Sequence, residues 1–388
     1  MIFDIVIVGA GPVGLALACG FANTKLKVAI IDKLSKKILV NPAIDGREIA
    51  LTHHSANILK KIGVWDFIPK KLISVIKEAK ILDDSSKYSL NFKHQDINKE
   101  SLGYLIPNNI IRKYLYKRLK NISNVTLINR TECLSIDNNN NKYSSLLLSN
   151  KRKIKSSLVV AADSRFSKMR SKVGISAFIH NFDKNMIVCR MEHEKPHHNI
   201  AYEFFRYKQT QASLPYIKKQ SSIVTTVSKE TSSYLKGISK NKFNKEIQNN
   251  FNNFFGKMKL IGKRYSYPMI TTYSKKFVAN RFALVGDAAV GMHPVTAHGF
   301  NLGLKGLEIL TKEIKSALDR NIDISSSRVL RNYQYKLHRV AIPLYLSTNG
   351  IVSLYTNVTY PAKLARKFAL RMVNSIKPVK QAFLGVLK

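Results

Sequence analysis

Apolar residues near the start of the chain come in short runs separated by glycine and polar residues. The run from Phe3 to Val8 predicts a buried strand, and Leu15 to Ala22, which is rich in small residues, predicts a helix. Lys27 to Ile31 predicts a second strand that ends at Asp32. Two buried strands joined by one helix predict a βαβ unit and therefore a parallel sheet of an α/β fold.

The next stretch mixes short alternating segments with one helical segment. Val75 to Phe92 alternates and predicts strands that leave the first sheet, whereas Ile110 to Leu119 predicts a helix. Val125 to Ile136 and Tyr143 to Leu148 predict the two strands of a hairpin around an asparagine-rich turn. Leu158 to Ala162 predicts another buried strand.

Residues 181–275 have a different pattern, in which apolar and polar positions alternate over several segments. Ile200 to Phe205 and Ser221 to Val227 are examples, and Lys240 to Phe255 predicts a polar helix between strands. The alternation predicts a separate, mostly antiparallel sheet. After it, Leu302 to Leu318 predicts a long helix.

Length and pattern together predict more than one domain. At about 150 residues per domain, 388 residues predict two domains or three. We expect a discontinuous Rossmann-like domain, an inserted domain built on the mostly antiparallel sheet, and a C-terminal helical, basic segment. The predicted ranges are 1–73, 104–180 and 276–335 for the Rossmann-like domain, 74–103 and 181–275 for the inserted domain, and 336–388 for the C-terminal segment.

Composition excludes several classes of protein. With 45% hydrophobic and 23% charged residues, the chain can bury a large core. Its three isolated cysteines exclude a disulfide scaffold and a cysteine-based zinc site, and they fit a reducing compartment. No apolar run of about 18 residues predicts a membrane span. Because the N-terminus opens directly into a folded motif, we expect no signal peptide.

The charge balance is strongly basic, with 64 Lys and Arg against 24 Asp and Glu and a net charge of +40. Such a balance is typical of nucleic-acid binders. Here the lysines are spread along a chain rich in Lys, Asn and Ile, which AT-rich codons specify, and no nucleic-acid motif accompanies them. We therefore expect no nucleic-acid partner. After Asp323 the chain has no acidic residue, and this basic end would attract an anionic surface such as lipid.

Gly9, Gly11 and Gly14 form a Gly-x-Gly-x-x-Gly turn between the first predicted strand and helix. Gly9 permits the tight turn, Gly11 lets the backbone approach a pyrophosphate, and Gly14 lets the helix pack on the strand. The helix N-terminus offers N–H groups and a positive dipole to phosphates. Asp32, at the end of the second strand, can bind the ribose hydroxyls of FAD or of NAD. A turn that serves packing alone is the disfavoured alternative.

Two further motifs follow. Arg281 to Ala289 predicts a strand that ends in Gly-Asp, and His293 to Gly303 predicts a loop that leads into a helix. Asp287 can accept a hydrogen bond from a ribityl hydroxyl, and a helix N-terminus near Asn301 can stabilise negative charge on a reduced flavin. The remaining motif is the central segment Leu158 to Arg165 with its aspartate.

The three motifs, in this order and at this spacing, resemble those of the flavoprotein aromatic hydroxylases, the single-component FAD monooxygenases, over essentially the whole chain. Gly46 to Thr52, Leu102 to Ile106 and Ser375 to Lys380 resemble segments of the ubiquinone-biosynthesis hydroxylases of the UbiH/UbiF family. The Gly-Asp segment is most similar to the branch called UbiM. Three departures stand out: Ser164 replaces the usual glycine, Val290 a common histidine, and Ala297-His298-Gly299 the usual Gly-Gln-Gly.

The resemblance implies the class A flavoprotein monooxygenase architecture, with FAD as cofactor, O₂ as co-substrate, and NAD(P)H or a protein electron donor as reductant. It implies that reduced FAD and O₂ form a C4a-hydroperoxide that hydroxylates an electron-rich ring. The implied substrate is a polyprenylated phenol or quinol of ubiquinone biosynthesis, and other proteins of that pathway are candidate partners. An FAD-dependent reductase or other oxidoreductase of the same fold, acting on a different apolar substrate, remains an alternative, and a non-enzymatic scaffold a weaker one.

The resemblance also implies roles for individual residues in binding FAD. The glycine turn and Asp32 would hold the ADP half, and Arg47 would meet the pyrophosphate or the ribityl chain. Arg112 and Asp163 are further candidates, although Arg112 fits an ordinary exposed helix charge and Asp163 a structural turn equally well or better. Asp287 would bind the ribityl chain. The residues expected at the isoalloxazine are Gly299, Asn301 and Leu302.

His298 and Pro294 would border the reaction space, with a loop histidine bonded to backbone as the alternative for His298. The sequence shows no metal site and no catalytic triad or dyad.

The end of the chain suggests contact with a membrane. Val340 to Ala362 carries no charge, but it contains Pro343 and is too polar for a span, so we expect a buried hairpin. Lys363 to Ile376 is amphipathic, with an apolar face and a basic face. We expect a bacterial cytoplasmic protein that lies peripherally on the inner face of the cytoplasmic membrane. Packing of that helix on the core, or binding to a partner, is the alternative.

Overall fold

The computed structural model describes residues 1–83, 89–140, 142–206, 209–293 and 298–356. The strands are β1 (Ile2–Val8), β2 (Val28–Ile31), β3 (Glu48–Leu51), β4 (Ser74–Ile76), β5 (Glu78–Asp83), β6 (Ser89–Lys93), β7 (Gly103–Pro107), β8 (Val125–Ile128), β9 (Cys133–Asp137), β10 (Ser144–Leu148), β11 (Lys153–Ala161), β12 (Ala177–His193), β13 (Ile200–Arg206), β14 (Gln209–Pro215), β15 (Gln220–Ser228), β16 (Met258–Ser274), β17 (Val278–Ala279), β18 (Phe282–Leu284) and β19 (Val290–Gly291). The α-helices are α1 (Pro12–Gly20), α2 (Lys36–Val40), α3 (His53–Lys61), α4 (Asn108–Leu119), α5 (Lys168–Lys172), α6 (Lys229–Gly237), α7 (Lys240–Asn250), α8 (His298–Asp319) and α9 (Ser327–Thr356).

The first sheet has the strand order β17-β18-β11-β1-β2-β8, with the β9–β10 hairpin attached to β11. Strands β18, β11, β1, β2 and β8 are mutually parallel along this order. The apolar run of β1 is fully buried from Ile5 to Ile7, as is usual for a strand in the interior of a parallel sheet. Helix α1 packs between α4 and α8 on one of those faces. The predicted βαβ unit and the Rossmann-like α/β fold are confirmed.

The second sheet has the order β19-β16-β12-β15-β14-β13-β5-β6 and is antiparallel except where β13 runs parallel to β5. One face packs against α6 and α7 through a buried apolar cluster that includes Phe243, Ile247 and Phe251. The other face looks toward the first sheet. Strands β12 and β16 each run for 17 residues and pair along most of that length.

A small third sheet, of order β3-β7-β4, lies between the two large ones. It places the segment before β3, which contains Arg47, next to β16 of the second sheet. Tyr267 of β16 donates a hydrogen bond from its hydroxyl to the Asp45 carbonyl at 2.6 Å. Gly46 has φ +73°, and a Cβ there would lie 2.3 Å from the Tyr265 ring. The approach of this loop to β16 therefore requires glycine at this position.

Two expectations about regular elements were wrong. The predicted strand Val125 to Ile136 is two strands: β8 continues the parallel sheet beside β2, and only β9 forms the hairpin with β10. Asn129 to Glu132 turn the chain between them, because Arg130 has φ +53°. The predicted polar helix Lys240 to Phe255 ends at Asn250, since Phe251 and Phe255 turn into the apolar cluster beneath the second sheet.

The C-terminal region also differs from expectation. Instead of a buried hairpin beginning at Val340, helix α9 continues through Pro343 to Thr356. Ile342 and Leu346 are exposed on it, so this part of the helix does not have the buried surroundings that a packed hairpin needs. Pro343 removes a single backbone donor, which a long helix tolerates. The amphipathic segment Lys363 to Ile376 lies outside the described residues.

Among the described helices, none is both long enough and apolar enough to cross a bilayer.

Candidate active site

A cavity of about 450 Å³ lies between the first sheet and the second sheet. On one side it is lined by the glycine turn, the residue after β2, and the ends of β11 and β18. On the other side it is lined by side chains of β12, β13, β14 and β15. The carboxyl ends of parallel strands are the usual binding edge of an open α/β sheet, and the second sheet closes that edge.

Only the three residues Gly9, Ala10 and Gly11 separate β1 from α1. Gly9 has φ +109°, and a Cβ there would lie 2.5 Å from the Ala162 carbonyl oxygen. A Cβ on Gly14 would lie 1.9 Å from the Gly9 carbonyl oxygen. A side chain at either position would therefore clash with the protein's own backbone, whether or not a ligand is bound.

Gly11 behaves differently. It has no positive φ, and the nearest atom to a Cβ built on it is the Ala162 carbonyl oxygen at 4.0 Å. The space beside Gly11 is the cavity itself, at the N-terminus of α1. The protein thus has room for a side chain at Gly11, and only a ligand lying close to the backbone would need this residue to be glycine.

Asp32 is held rigidly at the end of β2. Its Oδ2 accepts a hydrogen bond from the Ala10 N–H at 2.6 Å, and its Oδ1 accepts one from the Leu34 N–H at 2.7 Å. The carboxylate lines the cavity beside the glycine turn. A carboxylate has about four acceptor sites, so Asp32 retains acceptor capacity for a ribose.

Arg47 and Arg112 both line the cavity. The Arg47 guanidinium forms an ion pair with Asp45 at 2.6 Å and lies over the Tyr267 ring, 5.3 Å from its centroid. Asp45 also accepts a hydrogen bond from the Asn108 side chain at 2.7 Å. Arg112 projects from α4 and is partly buried rather than a free surface charge. Two cations therefore face the cavity beside the glycine turn.

Asp163 follows β11, and its Oδ2 accepts a hydrogen bond from the Met169 N–H at 3.1 Å. This contact is the structural turn role considered as the alternative. Its Oδ1 is buried with no hydrogen-bond partner among the described residues, and the residue lines the cavity. Ser164 stands where the flavoprotein aromatic hydroxylases usually have glycine, and its φ is +117°. The turn needs a conformation that glycine adopts freely, so serine holds it at a cost of about 1–3 kcal/mol.

Asp287 lies beyond the end of β18, in the Gly-Asp turn, and lines the cavity. The Arg165 guanidinium contacts its Oδ2 at 3.3 Å and donates to the Ile270 carbonyl at 2.5 Å. Gly299, at the start of α8, also lines the cavity, and a Cβ there would lie 3.6 Å from Asp287 Oδ1. The structure thus brings Asp287 and Gly299 together at one wall.

Three of the predicted site residues, Asn301, Leu302 and His298, are not among the residues that line the cavity. Asn301 joins α8 to the end of β3, since its side chain accepts from the Thr52 N–H at 3.1 Å and donates to the Ala50 carbonyl at 2.8 Å. Leu302 is buried in the main core. Burial lowers the pKa of His298 to about 4, so its imidazole is neutral at pH 7. Pro294 lies outside the described residues.

Sequence reasoning missed several residues that line the cavity. His293 is fully buried, its ring meets the Phe182 ring edge-on at 4.9 Å, and burial lowers its pKa to about 4. The Glu48 side chain is 2% exposed and pairs with Arg190 at 2.7 Å and Ser222 at 2.5 Å. Burial raises the pKa of Glu48. These contacts join β3 to the second sheet, and Arg190 is 142 residues from Glu48 in sequence.

Glu203 of β13 is the other residue that was missed, and burial alone raises its pKa to about 8. In sequence it is simply a charged residue among alternating ones. The signal in the sequence is the carboxylate itself, which lies inside the alternating segment Ile200 to Phe205.

The raised pKa of Glu203 predicts a pH-dependent stability. Between about pH 4.5, the usual glutamate pKa, and about pH 8, the unfolded chain loses a proton that the folded chain keeps, so stability falls as pH rises. Glu203→Gln removes this loss. We expect the variant to gain roughly 1–3 kcal/mol over the parent at pH 8, after discounting for water in the cavity, and nothing near pH 4.5. Urea unfolding at both pH values measures this.

The matched control is Glu192→Gln, which makes the same chemical change at an exposed position of β12. Its stability should follow the parent at both pH values. Equal curves for Glu203→Gln and the parent at pH 8 would contradict the raised pKa.

Comparisons with known proteins agree with this geometry. A family model described as an FAD binding domain matches residues 3–342. Ubiquinone hydroxylase UbiM of Neisseria meningitidis is 39% identical over 97% of this chain and 83% of its own length. Ubiquinone hydroxylase UbiL of Rhodospirillum rubrum is 28% identical over 99% of this chain and 90% of its own length.

Among solved structures, p-nitrophenol 4-monooxygenase PnpA of Pseudomonas putida superposes with a TM-score of 0.79 at 15% identity, covering 99% of this chain and 97% of its own. At that identity the likeness shows the fold alone. The family match and the similarity to UbiM carry more. The chain belongs to the family of FAD-binding monooxygenases, to which the resemblance of its three motifs had assigned it.

Proposed function

We propose that this enzyme hydroxylates the aromatic ring of a polyprenylated phenol or quinol in ubiquinone biosynthesis. The observation that carries the proposal is a single cavity whose one wall is the dinucleotide-binding edge of the first sheet and whose other wall is an apolar face of the second. The similarity to UbiM and UbiL supports the substrate class.

The residues of the first wall fit FAD. Gly11 leaves room beside the N-terminus of α1 for a pyrophosphate, and Asp32 keeps acceptor capacity for the adenosine ribose. Arg47 and Arg112 supply positive charge toward the phosphates. In this proposal Asp287 binds the ribityl chain, and the start of α8 at Gly299 faces the isoalloxazine, held in place by Asn301 and Leu302 behind it. The unpartnered Oδ1 of Asp163 is a further acceptor toward the cofactor.

When bound and reduced, FAD supplies the activation of O₂ from which one oxygen atom enters the ring. The chain's own residues must hold the ring and keep water away. Met186, Val188 and Val224 line the second wall with aliphatic side chains, which exclude water and suit an apolar ring. The reductant is NAD(P)H or a protein donor in this proposal.

The proposed setting is the inner face of a bacterial cytoplasmic membrane, where a polyprenylated substrate resides. The net charge of +40 favours an anionic lipid surface. The basic residues after Asp323 concentrate that charge at one end of the chain, and other ubiquinone-biosynthesis proteins are proposed partners there.

Asp287→Ala tests the function together with the site. Loss of one charged hydrogen-bonding group should weaken FAD binding about tenfold to a hundredfold. In cells lacking the gene, mass spectrometry of lipid extracts should show a quinone intermediate that lacks ring oxygen. The parent gene should restore the normal profile and the Asp287→Ala gene should not.

Asp319→Ala, at the exposed end of α8, is the matched control and should restore the profile as the parent does. A normal quinone profile without the gene, in a strain with no other ring hydroxylase, would remove the substrate assignment. Restoration by Asp287→Ala would instead favour a scaffold role.

A further inference from the structure

Glu203 stands out in the apolar wall of the cavity. The registers of the second sheet place four residues in one row across four strands: Val188 lies opposite Val224, Val224 opposite Ala212, and Ala212 opposite Glu203. All four line the cavity. Three of them are aliphatic, so Glu203 is the carboxyl in that row.

The strand geometry turns Glu203 away from Glu78 and Lys80 of the adjacent strand β5. Its sequence neighbours Tyr202 and Phe204 point to the opposite face, where they pack with the aromatic cluster beneath α7. Glu78 and Lys80 of β5 form an ion pair with each other at 3.8 Å, and their alternation with Ile81, which lies opposite Glu203, places them on that same opposite face. The strand on the other side, β14, contributes Thr210, Ala212 and Leu214 to the cavity.

Three arginines in or near the cavity have acidic partners of their own. Arg47 pairs with Asp45, Arg165 with Asp287, and Arg190 with Glu48. No described residue forms a hydrogen bond or ion pair with the Glu203 carboxyl, and burial is the cause that raises its pKa. A carboxyl without a partner in an apolar wall costs stability, and no contact of the folded protein compensates for it. Such a group in a cleft is a candidate for chemistry.

We propose that Glu203 binds the ring hydroxyl of the phenolic substrate and takes its proton as the ring is hydroxylated; this inference rests on the proposed function. The O–H bond breaks, its electron pair stays on the ring oxygen, and the proton joins the Glu203 carboxylate. The ring becomes more electron-rich toward the oxygen that FAD and O₂ supply. The carboxylic acid returns the proton to water when the product leaves.

The chemistry of the pair supports this assignment. A phenol has a pKa of about 10, so an ordinary carboxylate is too weak a base for it. Glu203, with a pKa of about 8, is a stronger base that is still partly ionised near neutral pH. The apolar row beside it holds the rest of the ring against Ala212 and Val224.

The test is a single-turnover reaction of Glu203→Gln. The holoenzyme is reduced with dithionite without oxygen, given 2-prenylphenol, and mixed with O₂, and hydroxylated product per flavin is measured over time. At pH 7 we expect product formation to be roughly a hundredfold slower than in the parent, with unchanged FAD content. Toward about pH 10 the phenol ionises by itself, and the variant should approach the parent rate. Glu203→Asp should keep part of the activity at pH 7.

Three outcomes would overturn the assignment. Equal rates for Glu203→Gln and the parent at pH 7 would leave the proposed function standing and remove the role of Glu203. A variant that stays slow at every pH would show that Glu203 shapes the wall and moves no proton. A parent enzyme that forms no product from the phenol would remove the proposed function itself. Glu192→Gln, on an exposed position of the same sheet, should match the parent throughout.

Discussion

Replacing Gly11 with alanine should leave the protein folded and weaken FAD binding about tenfold to a hundredfold. The protein itself has room for this methyl group, because no atom lies nearer than 4.0 Å to it. The methyl group would occupy the space beside the N-terminus of α1 that a pyrophosphate needs, at a cost of roughly 1.4–2.7 kcal/mol in binding. Titration of the apoprotein with FAD, followed by flavin fluorescence, measures the affinity, and thermal unfolding of the apoprotein measures the fold.

Gly14→Ala is the informative contrast. Its methyl group would lie 1.9 Å from the Gly9 carbonyl oxygen, which is backbone and cannot move aside cheaply. We expect a loss of about 3 kcal/mol or more in stability, or failure to fold. Gly237→Ala, at the end of α6 with nothing within 4 Å, should change neither property for the worse. If Gly11→Ala unfolded as Gly14→Ala does, the turn would need Gly11 for packing and the argument for a ligand there would fail.

Replacing Arg190 with methionine should destabilise the protein by about 2–4 kcal/mol at pH 8. The Glu48 carboxylate is 2% exposed and has two described partners, Arg190 and Ser222. The change removes the charged one and leaves the carboxylate with Ser222. Because burial already raises the pKa of Glu48, losing the cation should raise it further. The loss should therefore be smaller at pH 5, where the carboxyl is protonated more easily. Urea unfolding at the two pH values measures both effects.

The double variant Glu48→Gln with Arg190→Met should recover most of the lost stability, since no buried charge is then left without its partner. The exposed pair Lys229–Asp183, 2.8 Å apart, is the matched comparison, and Lys229→Met should have no measurable effect. A loss for Arg190→Met that is equal at both pH values and persists in the double variant would point to packing of Arg190 on the Tyr216 ring, 4.0 Å away, instead of charge.

The parts of the fold that sequence predicts well are local. A few residues suffice to predict the glycine turn, the apolar strands β1 and β2, and the Gly-Asp segment. Turn geometry and burial on both faces leave few alternative structures for these segments. The elements predicted wrongly are those in which tertiary contacts override local pattern. Phe251 ends α7 early by turning into the core, and α9 continues through Pro343 where the sequence predicted a buried hairpin.

The second wall of the cavity needed the structure. Alternation in β13 shows that Tyr202 and Glu203 face opposite sides, but which side is the cavity depends on where α6 and α7 pack. The Glu48–Arg190 pair joins residues that are 142 positions apart in sequence, and no local pattern predicts such a contact. Conversely, the family resemblance identifies Ser164 as standing where a glycine is usual, and the structure shows why that matters, since its φ is +117°.

Asn301 has a mechanical consequence for the whole site. Its side chain bonds both the Ala50 carbonyl and the Thr52 N–H, so the end of β3 and the start of α8 are fixed to each other by one amide group. Arg47 stands immediately before β3, and Gly299 stands in the first turn of α8. A displacement of the segment that contains Arg47 must therefore also displace the start of α8, and the two sides of the cofactor site move together.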